Sequence, residues 1–420
     1  MQLSQVQWRK LDVMERVERG EFTVSEAAQA LGLSRRQMQR LRKRVRLLGI
    51  KGVLHGNAGR APKHRTAVLV GERVIELWRE KYAGFNDQHF TEKLAEVEGL
   101  KLSRQTVRRL LRKAGIGSPR KRRPAKHRRR RDRRPQAGQM ILWDGSRHDW
   151  LEGRGPMLCL MGAIDDATGE LLPGAHFVEQ ECSAGYLRVL RDILVVKGVP
   201  LSAYMDRHGA LKRNDRNWTH LEQLAGRQEP THVRRALDDL GVQVIYALSP
   251  QAKGRVERLW GTLQDRLVSE LRLADTTSAL GANRILLQYR LEHNARFAIP
   301  PEQSNSAWRP LPPGLTADEL SAFQYVRVVL NNNTVRIGKQ TIDIRKHPGR
   351  GTFAKATVLV RHLLVGGFRV YFKGEHIGGA RSPRATGPLT QLKSDTDWTK
   401  ARDWLPTRIV QEGVTESLAH

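Results

Sequence analysis

The chain has 420 residues, of which 39% are hydrophobic, so it is long enough for two to four folded domains and its composition excludes wholesale disorder. The formal net charge of +30 is unevenly spread: residues 1–135 carry +23, residues 136–310 are neutral and residues 311–420 carry +7. Strongly basic ends favour DNA over a membrane, because binding releases counterions from the phosphates. No long apolar segment and no signal peptide are visible, so we expect no membrane partner.

The only cysteines are Cys159 and Cys182. Two cysteines exclude an all-cysteine zinc site within one chain and argue against a disulfide framework. This usage fits a reducing interior, so we expect a cytoplasmic protein. If its basic ends bind DNA, we expect it to associate with the bacterial nucleoid.

Residues 1–50 have the pattern of a helix-turn-helix DNA-binding domain. Gly32 permits the tight turn, and Ser34 can cap the helix that follows it. That helix is strongly basic and is predicted to enter a major groove. The candidate DNA contacts on it are Arg35, Arg36, Arg40 and Lys43. The alternative is a solvated basic helix that touches no DNA.

After a Gly- and Pro-containing linker at residues 51–66, residues 67–118 repeat the pattern as a second helix-turn-helix or winged-helix domain. Ser103 can cap its basic helix, which carries the candidate contacts Arg104, Arg108 and Arg109. Two tandem modules would read a longer DNA site than one. The alternative is a helical spacer.

Residues 119–136 form a basic linker in which 11 of the 15 residues from Arg120 to Arg134 are Lys or Arg. A block of like charges cannot pack a core, so it marks a domain boundary. It is predicted to follow DNA phosphates, with Arg122 and Arg129 as candidate contacts, or else to be a solvated linker.

Residues 137–310 alternate apolar strands with helices, which predicts an α/β sheet of mixed direction. Asp144 and Asp206 each follow a short apolar strand, and carboxylates at strand ends can meet at one edge of a sheet. Glu257 lies near the start of a long amphipathic helix and supplies a third acid. Lys253 and Arg255, beside it, can hold phosphate.

Three carboxylates suit magnesium, which prefers oxygen ligands. Two ions about 4 Å apart can activate an attacking oxygen and stabilise a leaving one during in-line displacement at phosphorus. Taken singly, each acid fits a turn residue or a helix ion pair better; taken jointly, they indicate catalysis. Asp165 is the reserve candidate and Asp149 a weaker one, while His148 and His208 stay open.

The segments Asp144 to Trp150, Tyr204 to Gly209 and Ser249 to Arg258 resemble the DDE motif of integrase-core transposases, and are most similar to the ISNCY group of insertion-sequence transposases. The resemblance implies a multidomain α+β chain with N-terminal helix-turn-helix modules and an RNase H-like catalytic core. It also implies a C-terminal small β-barrel, which the hairpin signals in residues 325–380 favour independently. We place that barrel at residues 311–385 and a tail at 386–420.

The same resemblance implies a transposase that binds terminal inverted repeats and cleaves and joins DNA with two Mg²⁺ ions, for which Mn²⁺ can substitute. Its partners are transposon ends, target DNA and further copies of itself, at least a dimer on DNA. One departure is the 50 residues between Asp206 and Glu257, more than in retroviral integrases; residues 211–230 look like the excess, a polar surface loop. Two alternatives stay open: a catalytically inactive regulator, which the three acids argue against, and a nuclease that cuts without joining.

Overall fold

The computed structural model describes residues 3–55, 57, 66–119, 131–213, 216, 218–247, 254–345, 347–382, 384, 385, 387 and 389. The predicted contacts Arg122, Arg129 and Lys253 lie outside the described residues, as does most of the tail. The chain divides into two compact units, Met1–Arg73 and Val74–His420.

The first unit is a small helical domain with its own core. Buried side chains on all three of its α-helices meet there, among them Met14, Ala27 and Met38. Gly32 adopts φ +63° between the second and third helices, and Ser34 accepts a hydrogen bond from the backbone of Gln37. The predicted turn and cap are therefore confirmed. The elements are α1 (Gln5–Glu18), α2 (Val24–Ala30), α3 (Arg35–Leu48) and a short 3-10 helix (Gly49–Val53).

Three further helices precede the sheet. Their core contains Val74, Phe90 and Val107, and Ser103 accepts a hydrogen bond from the Thr106 backbone at the start of the third helix. The serine cap predicted for this basic helix is thus confirmed. The helices are α4 (Val68–Glu80), α5 (Asp87–Glu96) and α6 (Arg104–Lys113).

A five-stranded mixed sheet forms the centre of the second unit, with the strand order β3-β2-β1-β4-β5. The first three strands are antiparallel neighbours, while β4 pairs parallel with β1 and β5 parallel with β4. The mixed sheet predicted from the sequence is confirmed. Its strands are β1 (Met140–His148), β2 (Leu158–Asp165), β3 (His176–Val178), β4 (Ser202–Met205) and β5 (Gln243–Tyr246).

Helices cover both faces of this sheet, which explains why β1 is apolar on both sides. Ile141 and Trp143 belong to the core on one face, and Leu142 belongs to the core on the other. Alternate side chains of a strand point to opposite faces, so the middle of β1 is buried on both sides. The first face carries α7 (Ser183–Val196) and α9 (His232–Asp239); the second carries α10 (Gly254–Leu273) and α11 (Ala279–Phe297).

Helix α5 is fastened to α10 and α11 by polar and charged side chains, and the contact with α11 includes the ion pair of Arg296 with Glu96. His89 Nε2 lies 2.7 Å from Glu270 Oε1, and Lys93 Nζ lies 2.7 Å from the same oxygen. Arg266 donates to Glu92 at 2.6 Å. These contacts repeat along one face of α5, so the second helical segment is docked against the helices that cover the sheet.

Part of the polar stretch 211–230 is folded. It contains α8 (His220–Ala225), capped by Thr219, and Glu222 on this helix is only 3% exposed. The Glu222 carboxylate pairs with Arg213 and accepts a hydrogen bond from the Glu229 backbone. The polar composition predicts a surface loop, but Glu222 is buried and accepts hydrogen bonds from several backbone and side-chain donors. This part of the stretch is therefore ordered around one buried carboxylate.

In the residues that the structure describes, the C-terminal strands do not close into the predicted small β-barrel. After α12 (Ala317–Leu320), four strands form an open antiparallel sheet in the order β11-β10-β9-β6, and two form a separate hairpin. A single bridge, Ile344↔Gly378, joins the end of the hairpin to β11, so the hydrogen-bonded ladder does not close in the described residues. The strands are β6 (Phe323–Val328), β7 (Thr334–Ile337), β8 (Gln340–Asp343), β9 (Thr357–His362), β10 (Phe368–Phe372) and β11 (Glu375–Ala380).

A buried ion pair ties this open sheet to α9. Arg361 Nη2 on β9 lies 3.1 Å from Asp239 Oδ2, and both side chains are 1% exposed.

Among the described helices, none is long and apolar enough to cross a membrane.

Candidate active site

Asp144 is the central residue of β1, at the point where the run of four buried residues ends. Its Oδ2 accepts a hydrogen bond of 3.0 Å from the Trp260 indole on α10. Two residues further along β1, Ser146 Oγ accepts from the Gln264 amide, also on α10, at 3.1 Å. Helix α10 therefore runs beside β1 in the same direction and fixes one oxygen of the Asp144 carboxylate.

Asp206 comes directly after β4, the parallel neighbour of β1. The pairing of these strands ends at Leu142↔Tyr204, and each aspartate lies two residues beyond that pair. The two carboxylates thus occupy equivalent positions on adjacent strands. The backbone of His208 donates to Asp206 Oδ1 at 2.9 Å, which orients the side chain within its turn.

Glu257 lies on the first turn of α10, one turn before Trp260, and its side chain is exposed. The residues that lead into this helix, 248–253, fall outside the described part of the chain. In the part that is described, no three His, Cys, Asp or Glu side chains are grouped so as to hold a metal ion. The structure therefore aligns the two aspartates by register, and it does not gather the third acid with them.

A fourth acid, Glu181, is close to both aspartates, and the sequence reasoning missed it. It lies between β3 and α7, where Tyr186 donates to its Oε1 at 2.5 Å and His208 Nδ1 lies 3.2 Å from the same oxygen. Burial raises the pKa of the Glu181 carboxyl, the Tyr186 and His208 contacts lower it, and the charges of Asp206 and Asp144 raise it. Its position just before a predicted helix and after the third strand is the only sequence signal for it.

The carboxylate of the reserve acid Asp165 accepts hydrogen bonds from backbone amides. Its Oδ1 accepts from the amides of Ala167 and Thr168, and its Oδ2 accepts from Gly138 at 2.6 Å. Because it pairs with Ile141, it lies at the end of β1 away from Asp144. Asp149, the weaker reserve, accepts from the Gly153 amide at 3.1 Å. Both are turn residues.

Arg255, predicted to hold phosphate, is engaged within the protein. Its guanidinium lies 2.6 Å from the buried Asp166, which also pairs with Arg131. Burial lowers the pKa of Arg255, although its ion pair with Asp166 opposes that shift. A phosphate contact by Arg255 therefore stays a prediction that would require this pair to be shared or broken.

The basic side chains predicted to contact DNA on α3 and α6 point to solvent. All seven are exposed, and they are Arg35, Arg36, Arg40, Lys43, Arg104, Arg108 and Arg109. By contrast, Arg112 on α6 pairs with Asp87 at 2.7 Å and helps to hold that helix against α5. The exposed set is available to a partner, while its neighbour is structural.

Comparison with known proteins first defines the class. Residues 11–67 match a family model described as a winged helix-turn-helix. The molecule therefore combines a helix-turn-helix module with a larger unit built on a mixed α/β sheet.

Two relatives define the family. The chain is 36% identical over 353 residues to putative transposase y4bF of Sinorhizobium fredii, covering 80% of this chain and 75% of that protein. It is 33% identical over 326 residues to the transposase for insertion sequence IS1202 of Streptococcus pneumoniae, covering 69% of this chain and 68% of that protein. The chain belongs to the family of insertion-sequence transposases, which confirms the resemblance inferred from the acidic motifs.

A solved structure of the HTLV-2 integrase catalytic core domain in complex with magnesium (trimeric form) is also similar. It is 14% identical, covers 36% of this chain and 85% of that chain, and has a TM-score of 0.26. A TM-score of this size does not assign a fold or a function to the present chain.

Proposed function

We propose that this chain is an active transposase that binds the terminal inverted repeats of an insertion sequence and catalyses DNA cleavage and strand transfer. The observation that carries the proposal is that Asp144 and Asp206 each lie two residues beyond the last pair of the adjacent parallel strands β1 and β4. Asp144 also contacts the helix that bears Glu257. Membership of a transposase family supports it.

The donor set fits magnesium. Asp144, Asp206 and Glu257 offer only carboxylate oxygens, the ligands that hard divalent ions prefer. We assign these three residues as the holders of two Mg²⁺ ions, which Mn²⁺ can replace. When bound, such ions supply charge stabilisation at the attacking and leaving oxygens of the phosphodiester.

The protein's own groups prepare this arrangement. The Trp260 indole holds one oxygen of Asp144, and the His208 amide holds one oxygen of Asp206, so both carboxylates are oriented by the protein itself. Glu257 is exposed on the first turn of α10 and joins the aspartates when DNA and metal are bound. Water as the nucleophile yields a cut, and a DNA 3′-hydroxyl yields a joined strand.

The basic helices supply affinity for the element ends. Exposed arginines on α3 and α6 contact phosphates and bases. The basic segment at residues 119–136, which follows α6 in the sequence, adds positive charge for further phosphates. Two ends must be held together for transposition, so the active form on DNA is at least a dimer of this chain.

The test is strand transfer in vitro, with purified protein, labelled element ends, a target plasmid and either Mg²⁺ or EDTA. We expect a joined product that requires Mg²⁺. Asp144→Asn and Glu257→Gln should each reduce it at least about a thousandfold, because several kcal/mol of transition-state stabilisation is lost. End binding and the melting temperature should be unchanged.

Asp149→Asn is the matched control, since Asp149 lies five residues from Asp144 and bonds to the Gly153 backbone. It should retain activity. End binding without any cut or joined product, with Mn²⁺ also present, would instead identify a DNA-binding regulator. Cutting without joining of a pre-cut end would identify a nuclease.

A further inference from the structure

Glu181 is tied to the turn that follows Asp206. Its carboxylate accepts the Tyr186 hydroxyl at 2.5 Å and faces His208 Nδ1 at 3.2 Å. His208 in turn donates its backbone N–H to Asp206. His208 therefore links Glu181 to Asp206. The hydroxyl of Tyr186, which is fully buried, fixes the position of the Glu181 carboxylate.

Glu181 is also tied to the strand position beside Asp144. A Cβ atom added to Gly145 would lie 2.7 Å from Glu181 Oε2 and 2.9 Å from its carboxyl carbon. Successive residues of a strand face opposite sides of the sheet, so this carboxylate supports β1 from the side away from Trp260. Glycine at position 145 is what lets an acid approach the backbone so closely.

The carboxylate of Glu181 interacts electrostatically with Asp144 and Asp206. Asp206 and Asp144 both act on the Glu181 carboxyl, and all three acids act on the Tyr186 hydroxyl, whose pKa burial raises well above its ordinary value. Burial also raises the pKa of the Cys159 thiol to about 12, with Glu181 and Asp144 adding to the shift. The three carboxylates are therefore near enough to act on one another and on the same neighbouring groups.

We propose that Glu181 is a positioning residue for the divalent-metal site, holding Asp144 and Asp206 from beneath the sheet edge and adding a negative charge that favours the cation. This inference rests on the proposed function, because it assigns the metal to those two aspartates. Glu181 acts through Gly145 and His208 and is not itself a ligand.

The experiment measures Mn²⁺ binding by electron paramagnetic resonance, without DNA, and the Mg²⁺ concentration that gives half-maximal strand transfer. The variant is Glu181→Gln, which keeps an acceptor for Tyr186 and removes the charge. The matched control is Glu179→Gln, which removes the same charge from an exposed residue two positions away.

We expect Glu181→Gln to raise both the Mn²⁺ dissociation constant and the Mg²⁺ midpoint about tenfold, as is typical for residues that support metal ligands. The melting temperature should change little, and Glu179→Gln should match the wild type in every measurement. If Glu181→Gln does not fold, Tyr186→Phe releases the same carboxylate and should move both metal measurements in the same direction.

Unchanged metal binding and an unchanged Mg²⁺ midpoint in the Glu181 variant would overturn the inference while leaving the proposed function intact. An inactive wild-type protein would contradict the proposed function, and the Mn²⁺ measurement would still decide the role of Glu181. An equal effect of Glu179→Gln would mean that any negative charge in this segment affects metal binding, and it would likewise overturn the assignment of Glu181.

Discussion

The two helical segments of this transposase carry the same sequence pattern, yet they are held in different ways. Both α3 and α6 begin at a capping serine and expose arginines to solvent. The first segment is stabilised within itself: its core is its own, and Glu18 on α1 pairs with Arg42 and Arg46 on α3 at the surface. In the second segment, α5 uses one face for its own core and another for partly buried ion pairs to α10 and α11.

The sequence pattern of such a segment therefore does not show how the segment is attached to the rest of the protein. The residues that make the motif lie on one helix, while the residues that dock the segment lie on its neighbour. Exposed ion pairs contribute little to stability, whereas removing one partner of a buried pair leaves an uncompensated charge. The second segment should therefore move with the unit that bears the candidate active site.

The largest expected effect comes from breaking that attachment. Glu270→Ala removes the partner of both His89 and Lys93, and we expect the free energy of unfolding of the second unit to fall by about 2–4 kcal/mol. Urea denaturation measures the loss, and hydrogen exchange should show it at the amides of α5. Glu18→Ala, at the surface of the first unit, is the control and should leave the urea midpoint nearly unchanged. Equal losses in the two variants would contradict the comparison.

A smaller effect, on the salt dependence of DNA binding, should show whether each basic helix contacts DNA or belongs to a spacer. Arg36→Ala with Arg40→Ala tests α3, and Arg104→Ala with Arg108→Ala tests α6. If both helices contact phosphates, each pair should lower the slope of log affinity against log salt by about two. Fluorescence anisotropy with labelled element ends measures this slope.

Arg19→Ala, an exposed arginine at the end of α1, is the control for these pairs and should leave the slope unchanged. A normal slope in the α6 pair alone would make the second segment a spacer. It would also strengthen the view that docking is its main role.

The smallest effect concerns pH. Burial lowers the pKa of His89 below its ordinary 6.5, although Glu270 opposes the shift. The neutral form is favoured on folding, so its contribution to stability is complete above pH 6.5 and is lost as the pH falls below that value. The stability of the second unit should therefore decrease as the solution is acidified through this range.

Thermal melts between pH 7.5 and 5.5 measure this loss, and His89→Gln should flatten the pH dependence. The first unit offers the contrast, because Arg46 and Arg42 lower the pKa of Glu18 to about 2, far below this window. A slope that is the same in the variant and in the wild type would exclude His89 as its source.

Local sequence patterns predict the helices and strands of this protein and indicate three candidate acids. Gly32 and Ser34 specify a turn and a cap through their own backbone and side chain, and both are where the pattern predicts them. The apolar runs before Asp144 and Asp206 predicted strands, and a strand is recognisable because its buried residues are contiguous. These signals are local, so a single stretch of chain is enough to read them.

How those elements meet depends on contacts between residues that are far apart in the sequence. The level alignment of Asp144 with Asp206 depends on the register between strands some sixty residues apart, which no local pattern specifies. Glu181 enters the site because Gly145 leaves it room, and Arg255 is engaged because Asp166 lies beside it. The open C-terminal sheet of the described residues could not be predicted either, because barrel closure depends on hydrogen bonds between distant edges and hairpin signals report only adjacent strands.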